Sequence, residues 1–292
     1  MEELVIQNQL LDLKRRIKER LLKVGLEPAE ATAESEWITK DVSGLSVAQQ
    51  ILFEGSLKEE WNTRIEHILR ERKKRVPLQY ILGHTSFMGL RFSVEPGVFI
   101  PRSDTEALVE ATVETVRKEQ LLNPYIMDIG TGSGAIAVAL AVKMPHAKIL
   151  AVELEEIPFR VAQQNAALNG VFERIQFVRG NWQEHVPLDL DIIVSNPPYI
   201  AESLKPTLAP EVLDHEPHKA LFGSGEDGLG YYRELARTTR FAFNKIAGGW
   251  LLCELGDGQA SDCQSIFSEQ GWTQIGICSD LNGVDRVLSA HS

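Results

Sequence analysis

Cysteine is scarce in this chain of 292 residues: Cys253, Cys263 and Cys278 are the only three, and no two share a C-x-x-C spacing. An odd, scattered set excludes a disulfide framework and a thiolate metal site, and reads as idle thiols in a reducing compartment. Long apolar runs are also missing, and none approaches the ~18–20 residues a membrane-spanning helix requires. The opening residues, Met1-Glu2-Glu3-Leu4, lack the basic segment and apolar core of a secretory signal. A cytoplasmic protein is expected. Positive charge is short as well: 30 Lys and Arg stand against 41 Asp and Glu, a net charge of −11. That balance disfavours non-specific binding to nucleic acid or to an anionic membrane, so no DNA and no membrane partner is expected. There is no internal repeat or low-complexity tract.

What remains is an ordinary globular composition, 43% hydrophobic, in a length that suits two domains of ~150 residues. Charge divides the chain unevenly. Residues 1–80 carry 14 basic and 14 acidic side chains, so the entire deficit lies in 81–292.

Residues 1–76 read as helical throughout. Leu10, Leu13, Ile17 and Leu21 recur at helical spacing, Gly25 closes that helix, and Pro28 opens the next. Such stripes describe a small helix bundle, with no catalytic constellation. Residues 77–101 read as a β-hairpin linker, with strands at Phe87–Val94 and Val98–Ile100 around the turn signal Glu95-Pro96-Gly97. Ser103 and Glu106 have the spacing of a helix capping box. From Asn123 onwards strands and helices alternate. Strands are expected at 125–128, 148–153, 175–179, 191–195 and 248–255, and helices at 133–144, 157–168 and 231–243. Alternation of this kind predicts an α/β fold, a parallel sheet with helices on both faces and its ligands beyond the carboxyl ends of the strands.

Those strand ends carry the informative residues. Asp128-Ile129-Gly130-Thr131-Gly132-Ser133-Gly134 joins the first strand to a helix, a loop whose glycines admit a close ligand and whose helix start presents N–H groups. Glu153 ends the second strand, 23 residues after Gly130, where an acid accepts both hydroxyls of a ribose. Together they indicate a nucleoside cofactor, NAD or S-adenosylmethionine. Asn181 and Trp182, after the third strand, suit an adenine amino group and ring, or equally a turn beside a core tryptophan.

The fourth strand runs into Asn196-Pro197-Pro198-Tyr199, and this segment decides between the two cofactors. Two prolines remove N–H donors and leave carbonyls as acceptors. If the Asn196 side-chain oxygen and the Pro197 carbonyl accept the hydrogens of a planar –NH2 group, its nitrogen faces the methyl donor and its growing positive charge is stabilised. Tyr199 offers a face to stack on that group. The acidic cluster Glu211, Asp214, His215, Glu216 and His218 reads as the rim of the site. No metal is expected, since methyl transfer from a sulfonium needs none.

With these motifs the sequence resembles the HemK/PrmC family, the peptide chain release factor N5-glutamine methyltransferases. The likeness runs through Pro77–Gly83, Phe87–Phe92, Ile100–Glu106, Asp128–Gly134, Ser195–Ile200, Glu211–Pro217, Gly228-Leu229, Tyr232-Arg233 and Asp285–Val287. It implies a helical substrate-recognition domain (1–76), the linker (77–101) and a Rossmann-like class I S-adenosylmethionine-dependent methyltransferase domain (102–292). It implies cofactor contacts from Asp128, Gly130–Gly134, Glu153, Asn181, Trp182 and Asn196, and a substrate glutamine held by Asn196, Pro197, Pro198 and Tyr199. The glutamine implied is that of the Gly-Gly-Gln loop in class I release factors; separately, a monomer is expected. Glu153 and Asn181 stand where the family usually has Asp. A ribosomal-protein glutamine methyltransferase shares the chemistry, and a DNA adenine methyltransferase shares the clamp but wants a cationic surface. A non-catalytic cofactor binder would not need the clamp intact, and for an NAD-dependent oxidoreductase the chain offers no proton relay.

Overall fold

In the computed structural model, which describes residues 8–243, 248–280 and 282–292, the chain falls into two compact units that part between Gly83 and His84. The helical stretch expected from residue 1 includes residues 1–7, which lie outside the described residues.

The first unit contains α1 (Gln9–Lys23), α2 (Pro28–Ser43), α3 (Val47–Ile51), α4 (Glu59–Lys73) and α5 (Leu78–Leu82). The Asn8 side chain accepts from the Leu10 and Leu11 amides and so caps α1. Leu10, Leu13, Ile17 and Leu21 form one face of α1 and pack with Ile38, Trp61, Ile65 and Ile68 in a single buried core. Arg72 is buried among them, with Nε 2.9 Å from Glu34 and Nη1 2.8 Å from the Val76 carbonyl. Its charge is therefore paired rather than stranded.

The second unit opens with an antiparallel hairpin, β1 (His84–Phe87) and β2 (Leu90–Ser93). It turns at Met88 and Gly89, whose φ values are 51° and 73°. The sequence pattern places this hairpin later, around Glu95-Pro96-Gly97, but Val98–Ile100 forms no strand. The two-residue loop observed has left-handed φ at both central positions, the geometry whose twist matches paired strands, whereas proline is locked near −65°. The capping box expected at Ser103 is absent too. Residues 103–105 form a 3₁₀ turn, and the Glu106 carboxylate instead accepts from the Met88 amide at 2.7 Å.

After the hairpin come α6 (Glu106–Lys118), β3 (Tyr125–Ile129), α7 (Ala135–Lys143), β4 (Lys148–Glu153), α8 (Glu156–Leu168), β5 (Ile175–Arg179) and β6 (Ile192–Ser195). Short helices α9 (Pro210–His215) and α10 (His218–Leu221) precede α11 (Gly230–Thr238), β7 (Trp250–Glu254), α12 (Ala260–Glu269), β8 (Thr273–Ser279) and β9 (Asp285–His291). The sheet order is β5-β4-β3-β6-β7-β9-β8. Five strands are parallel, as the alternation predicts, while β9 runs antiparallel to both β7 and β8. That final antiparallel pair was not anticipated, because its strands are only partly buried and too polar to read as core strands.

Successive residues of the central strands enter different cores, as a period of two requires. Ile126, Ile149 and Val194 join the core that includes Leu108 and Val138; Met127, Leu150 and Ile193 join that of Tyr232, Phe267 and Trp272. With both faces covered, these strands are continuously apolar.

Candidate active site

The strand order reverses between β3 and β6, the point at which an open α/β sheet leaves a crevice at its carboxyl edge. A cavity of about 720 Å³ lies there, lined by the ends of β3, β4, β5 and β6. Its size falls within the ~300–1,000 Å³ usual for small-molecule sites. Of the residues singled out from the sequence, it gathers Gly130, Thr131, Gly132, Ser133, Glu153, Asn181, Trp182, Asn196, Pro197 and Pro198. Asp128, Gly134 and Tyr199 do not line it.

The loop after β3 is shaped by Gly130, Gly132 and Gly134, with φ of 71°, 57° and 82°. A side chain at Gly130 would meet no protein atom within 4 Å, and one at Gly132 only the Gly130 carbonyl at 3.9 Å. The space these two glycines leave is thus cavity. Gly134 is different: an added Cβ would come within 3.1 Å of Ala162 in α8, so this glycine serves helix packing. Asp128 supports the loop from below. It is fully buried, and its Oδ2 accepts from the Thr131 hydroxyl at 2.6 Å and the Ala137 amide at 3.2 Å. Burial pushes its pKa up to about 7, and its Oδ1 has no partner.

Glu153 reaches back to this loop. One oxygen accepts from the Gly132 amide and the other from the Glu155 amide, both at 2.9 Å. A carboxylate has about four lone-pair sites, so both oxygens keep acceptor capacity for a ribose. Burial holds the Glu153 pKa above the usual carboxylate range. Asn181 caps the turn at 182–184, its oxygen accepting from the Gln183 amide at 3.2 Å, while it also faces the cavity. Turn and cavity roles, weighed as alternatives on sequence grounds, coexist at this residue.

The Asn196 side chain donates from Nδ2 to the Thr105 hydroxyl at 3.1 Å. Among the described residues no donor reaches its Oδ1 or the Pro197 carbonyl, so both remain available as acceptors. Tyr199 is not among the residues that line the cavity. Its hydroxyl donates to Glu254 at 3.2 Å, and its carbonyl accepts from the Gln259 side chain at 3.0 Å. The phenol is thus anchored at the end of β7, with the residue only partly buried. Burial, followed by the neighbouring Glu254 charge, keeps its phenol neutral. Gly228 packs on the same backbone: a Cβ there would lie 2.6 Å from the Tyr199 carbonyl and 2.9 Å from the Ala201 amide.

Other lining residues escaped the sequence reading. Phe99, Pro101 and Thr105 come from the segment before α6, and Tyr231, Glu234 and Leu235 from α11. Neither segment carries a glycine-rich or strand-end signal, and only the fold brings them to the crevice. Pro217 and Lys219 line the cavity from the acidic cluster's side, and Lys219 pairs with Glu155 at 2.7 Å. The buried Glu216 binds the Arg102 guanidinium and accepts from the Ile100 amide at 3.4 Å, tying that cluster to the segment before α6. The open cradle above Gly130 and Gly132, an acid at the end of β4 and a planar residue at Trp182 together fit an adenosyl cofactor.

Residues 89–229 match the methyltransferase small domain family, and residues 12–83 the PrmC N-terminal domain family. A protein of Geobacter sulfurreducens named release factor glutamine methyltransferase is 41% identical over 93% of this chain and 92% of its own length. A protein of the same name from Fusobacterium nucleatum is 37% identical over 96% of this chain and 78% of its own. A solved methyltransferase from Pyrococcus furiosus, 17% identical, superposes with a TM-score of 0.50 over 79% of this chain and 96% of that one, a likeness of fold.

Proposed function

The chain belongs to the release factor glutamine methyltransferase family, and from that membership and its cavity we propose that it methylates the side-chain amide nitrogen (N5) of a glutamine in bacterial release factors. It is an S-adenosylmethionine-dependent methyltransferase. The observation that carries the reading is one cavity joining a nucleoside cradle to an Asn-Pro-Pro segment whose acceptors are unfilled.

When bound, the cofactor supplies an electrophilic methyl group on a sulfonium. The loop at Gly130–Ser133, Glu153, Asn181 and Trp182 would hold it, with Glu153 towards the ribose. Asn196 Oδ1 and the Pro197 carbonyl accept the two hydrogens of the substrate amide. They orient its nitrogen and favour the positive charge that grows there. The amide becomes acidic as the new N–C bond forms, so the departing proton needs no strong base. Pro198 fixes the backbone of the clamp, and Tyr199 buttresses it from behind.

The target is the glutamine of the Gly-Gly-Gln loop of class I release factors, where methylation modulates termination. The helical unit recognises that substrate, and the enzyme acts as a cytoplasmic monomer on a protein rather than on DNA or a membrane. Among the described residues no helix is long and apolar enough to cross a membrane. The test is mass spectrometry of a release factor after incubation with the enzyme and S-adenosylmethionine, with a ribosomal-protein substrate in parallel. A one-methyl increase on the Gly-Gly-Gln glutamine is expected. A modified ribosomal protein beside an unmodified release factor would reassign the substrate.

A further inference from the structure

The residues that lead into α6 alternate in what they meet. Phe99, Pro101 and Thr105 line the cavity, whereas Arg102, Asp104 and Glu106 are each tied to a different distant part of the second unit. Arg102 binds the buried Glu216, Asp104 lies 2.9 Å from Arg286 of β9, and Glu106 takes the Met88 amide of the hairpin at 2.7 Å. Little fixes this segment locally. The 3₁₀ turn at 103–105 has no side-chain cap, and its Thr105 amide donates to the Arg102 carbonyl at a long 3.2 Å. Its place beside the cavity therefore comes from the outside ties.

The tie through Asp104 bears most directly on the clamp. Arg286 lies outside the cavity with its side chain 16% exposed, sheltered enough for an ion pair to count for more than one on the open surface. Its Nη2 meets Asp104, and its Nε meets Asp280 at 3.4 Å. Asp280 is itself fixed in the turn before β9, where its Oδ1 accepts from the Asn282 and Val284 amides at 2.8 and 3.0 Å. The Arg286 carbonyl accepts from the Leu255 amide at 2.8 Å, β9 pairs with β7, and β7 pairs with β6, the strand that delivers Asn196. The ion pair thus refers Asp104 to the same sheet that carries Asn196. Thr105, the next residue, is buried and accepts from Asn196 Nδ2 at 3.1 Å, the hydrogen bond that the described residues give this side chain.

We propose that Arg286, acting through Asp104, is a positioning residue of the clamp. It fixes the turn at 103–105 against the sheet, so that the Thr105 hydroxyl holds the Asn196 nitrogen and the Asn196 oxygen is left for the substrate amide. This inference rests on the methyl-transfer reading above and adds to it a residue outside the cavity on which the rate depends. The Thr105–Asn196 contact is already towards the long end of the hydrogen-bonding range, so a turn displaced by a few tenths of an ångström loses it. Without it the Asn196 amide is free to turn, and its oxygen is no longer held where the reacting nitrogen needs an acceptor.

Asp104→Asn removes the charge and keeps the shape. With release factor as substrate it is expected to lower kcat about tenfold, part of the ~100-fold that a 1 Å misplacement can cost. The KM for release factor, and S-adenosylmethionine affinity by calorimetry, are expected to stay unchanged. Arg286→Gln should lose at least as much kcat, and Arg286→Lys, which retains the charge, should recover part of it. Joined to Arg286→Gln, Asp104→Asn should add nothing, since both break one contact. In a Thr105→Val background, where the hydroxyl is already gone, Asp104→Asn should change kcat by less than about twofold. The side-chain NH2 signals of Asn196 in ¹⁵N-edited spectra read the same chain without substrate, and are expected to move in Asp104→Asn. Wild-type kcat in Asp104→Asn, or an undiminished loss in the Thr105→Val background, would overturn the proposal. So would a loss of cofactor affinity equal to the loss in kcat, which marks a general loosening of the site. A wild-type protein that methylates no release factor would instead overturn the reading of the reaction, and Asn196 signals unmoved by Asp104→Asn would still overturn the positioning.

Discussion

At the scale of single residues, Asn196 is the side chain on which the proposed chemistry turns. Its oxygen is one of two acceptors offered to the substrate amide, while its nitrogen is held by Thr105. Removing one well-placed hydrogen-bonding group from a transition state costs roughly 10²–10³ in kcat. Asn196→Ala is accordingly expected to lose methyl transfer by that factor while keeping its circular dichroism and melting temperature. Full activity in this variant, measured with labelled cofactor, would remove Asn196 from the mechanism. This residue was legible in the sequence because Asn-Pro-Pro-Tyr is contiguous and sits at the end of an apolar strand. Thr105, which holds that nitrogen, was not: it comes from 91 residues before Asn196, in a segment that counted in the sequence only towards the family likeness.

At the scale of elements, the site depends on how helices and loops are tied to the sheet. Asn165 of α8 is fully buried and makes three such ties. Its oxygen accepts from the Ser93 amide at 2.7 Å, and its nitrogen donates to the Ser93 and Ser133 carbonyls at 3.0 and 2.8 Å. One side chain thus joins β2 to the glycine loop. Asn165→Ala strands those backbone groups at a cost of about 3 kcal/mol. For a unit of this size the melting temperature should fall by roughly 6–12 °C. A drop under one or two degrees by calorimetry would mean that water or a neighbour replaces the bonds. The existence of α7, α8 and the five parallel strands followed from periodicity, since each buries a recognisable apolar pattern. The hairpin position did not, because Met88-Gly89 is a weaker turn signal than Glu95-Pro96-Gly97 to anyone reading composition. What selects it is the left-handed backbone at both positions, together with the Glu106 carboxylate that takes the Met88 amide.

At the scale of the molecule, buried carboxyls such as Asp128 and Glu254 contribute to the pH dependence of stability. Asp128 and Glu254 both have a pKa of about 7 in the fold, burial being the first cause, against 3.8 and 4.5 when exposed. Between about pH 4 and 7 the folded state therefore holds more protons than the unfolded one, and stability falls as pH rises. Each group contributes a loss of about 1.4 kcal/mol per pH unit at most across that window. Denaturant unfolding of Asp128→Asn should show a shallower decline from pH 5 to pH 8 than the wild type; parallel curves would contradict the burial argument. The division of the chain makes a separate prediction. Every cavity-lining residue lies between Gly97 and Leu235. Residues 84–292 alone are expected to bind S-adenosylmethionine within a few-fold of the full chain by calorimetry, and to methylate release factor far more slowly. Loss of cofactor binding would assign the helical unit a part in the pocket.

By itself the sequence determined the acidic, cysteine-poor character of the chain, the helical first part, the alternating second part and the two contiguous motifs at strand ends. These are local properties: a hydrophobic period, a run of glycines, a pair of prolines. Only the tertiary structure decided that the Tyr199 hydroxyl meets the Glu254 carboxylate, and that Asn181 caps a turn while lining the cavity. It alone brought Thr105 to the Asn196 amide and Glu254 to the Tyr199 hydroxyl. The physical reason is that a side chain's direction and partners depend on which distant segments the sheet order places beside it, and no spacing along the chain encodes that.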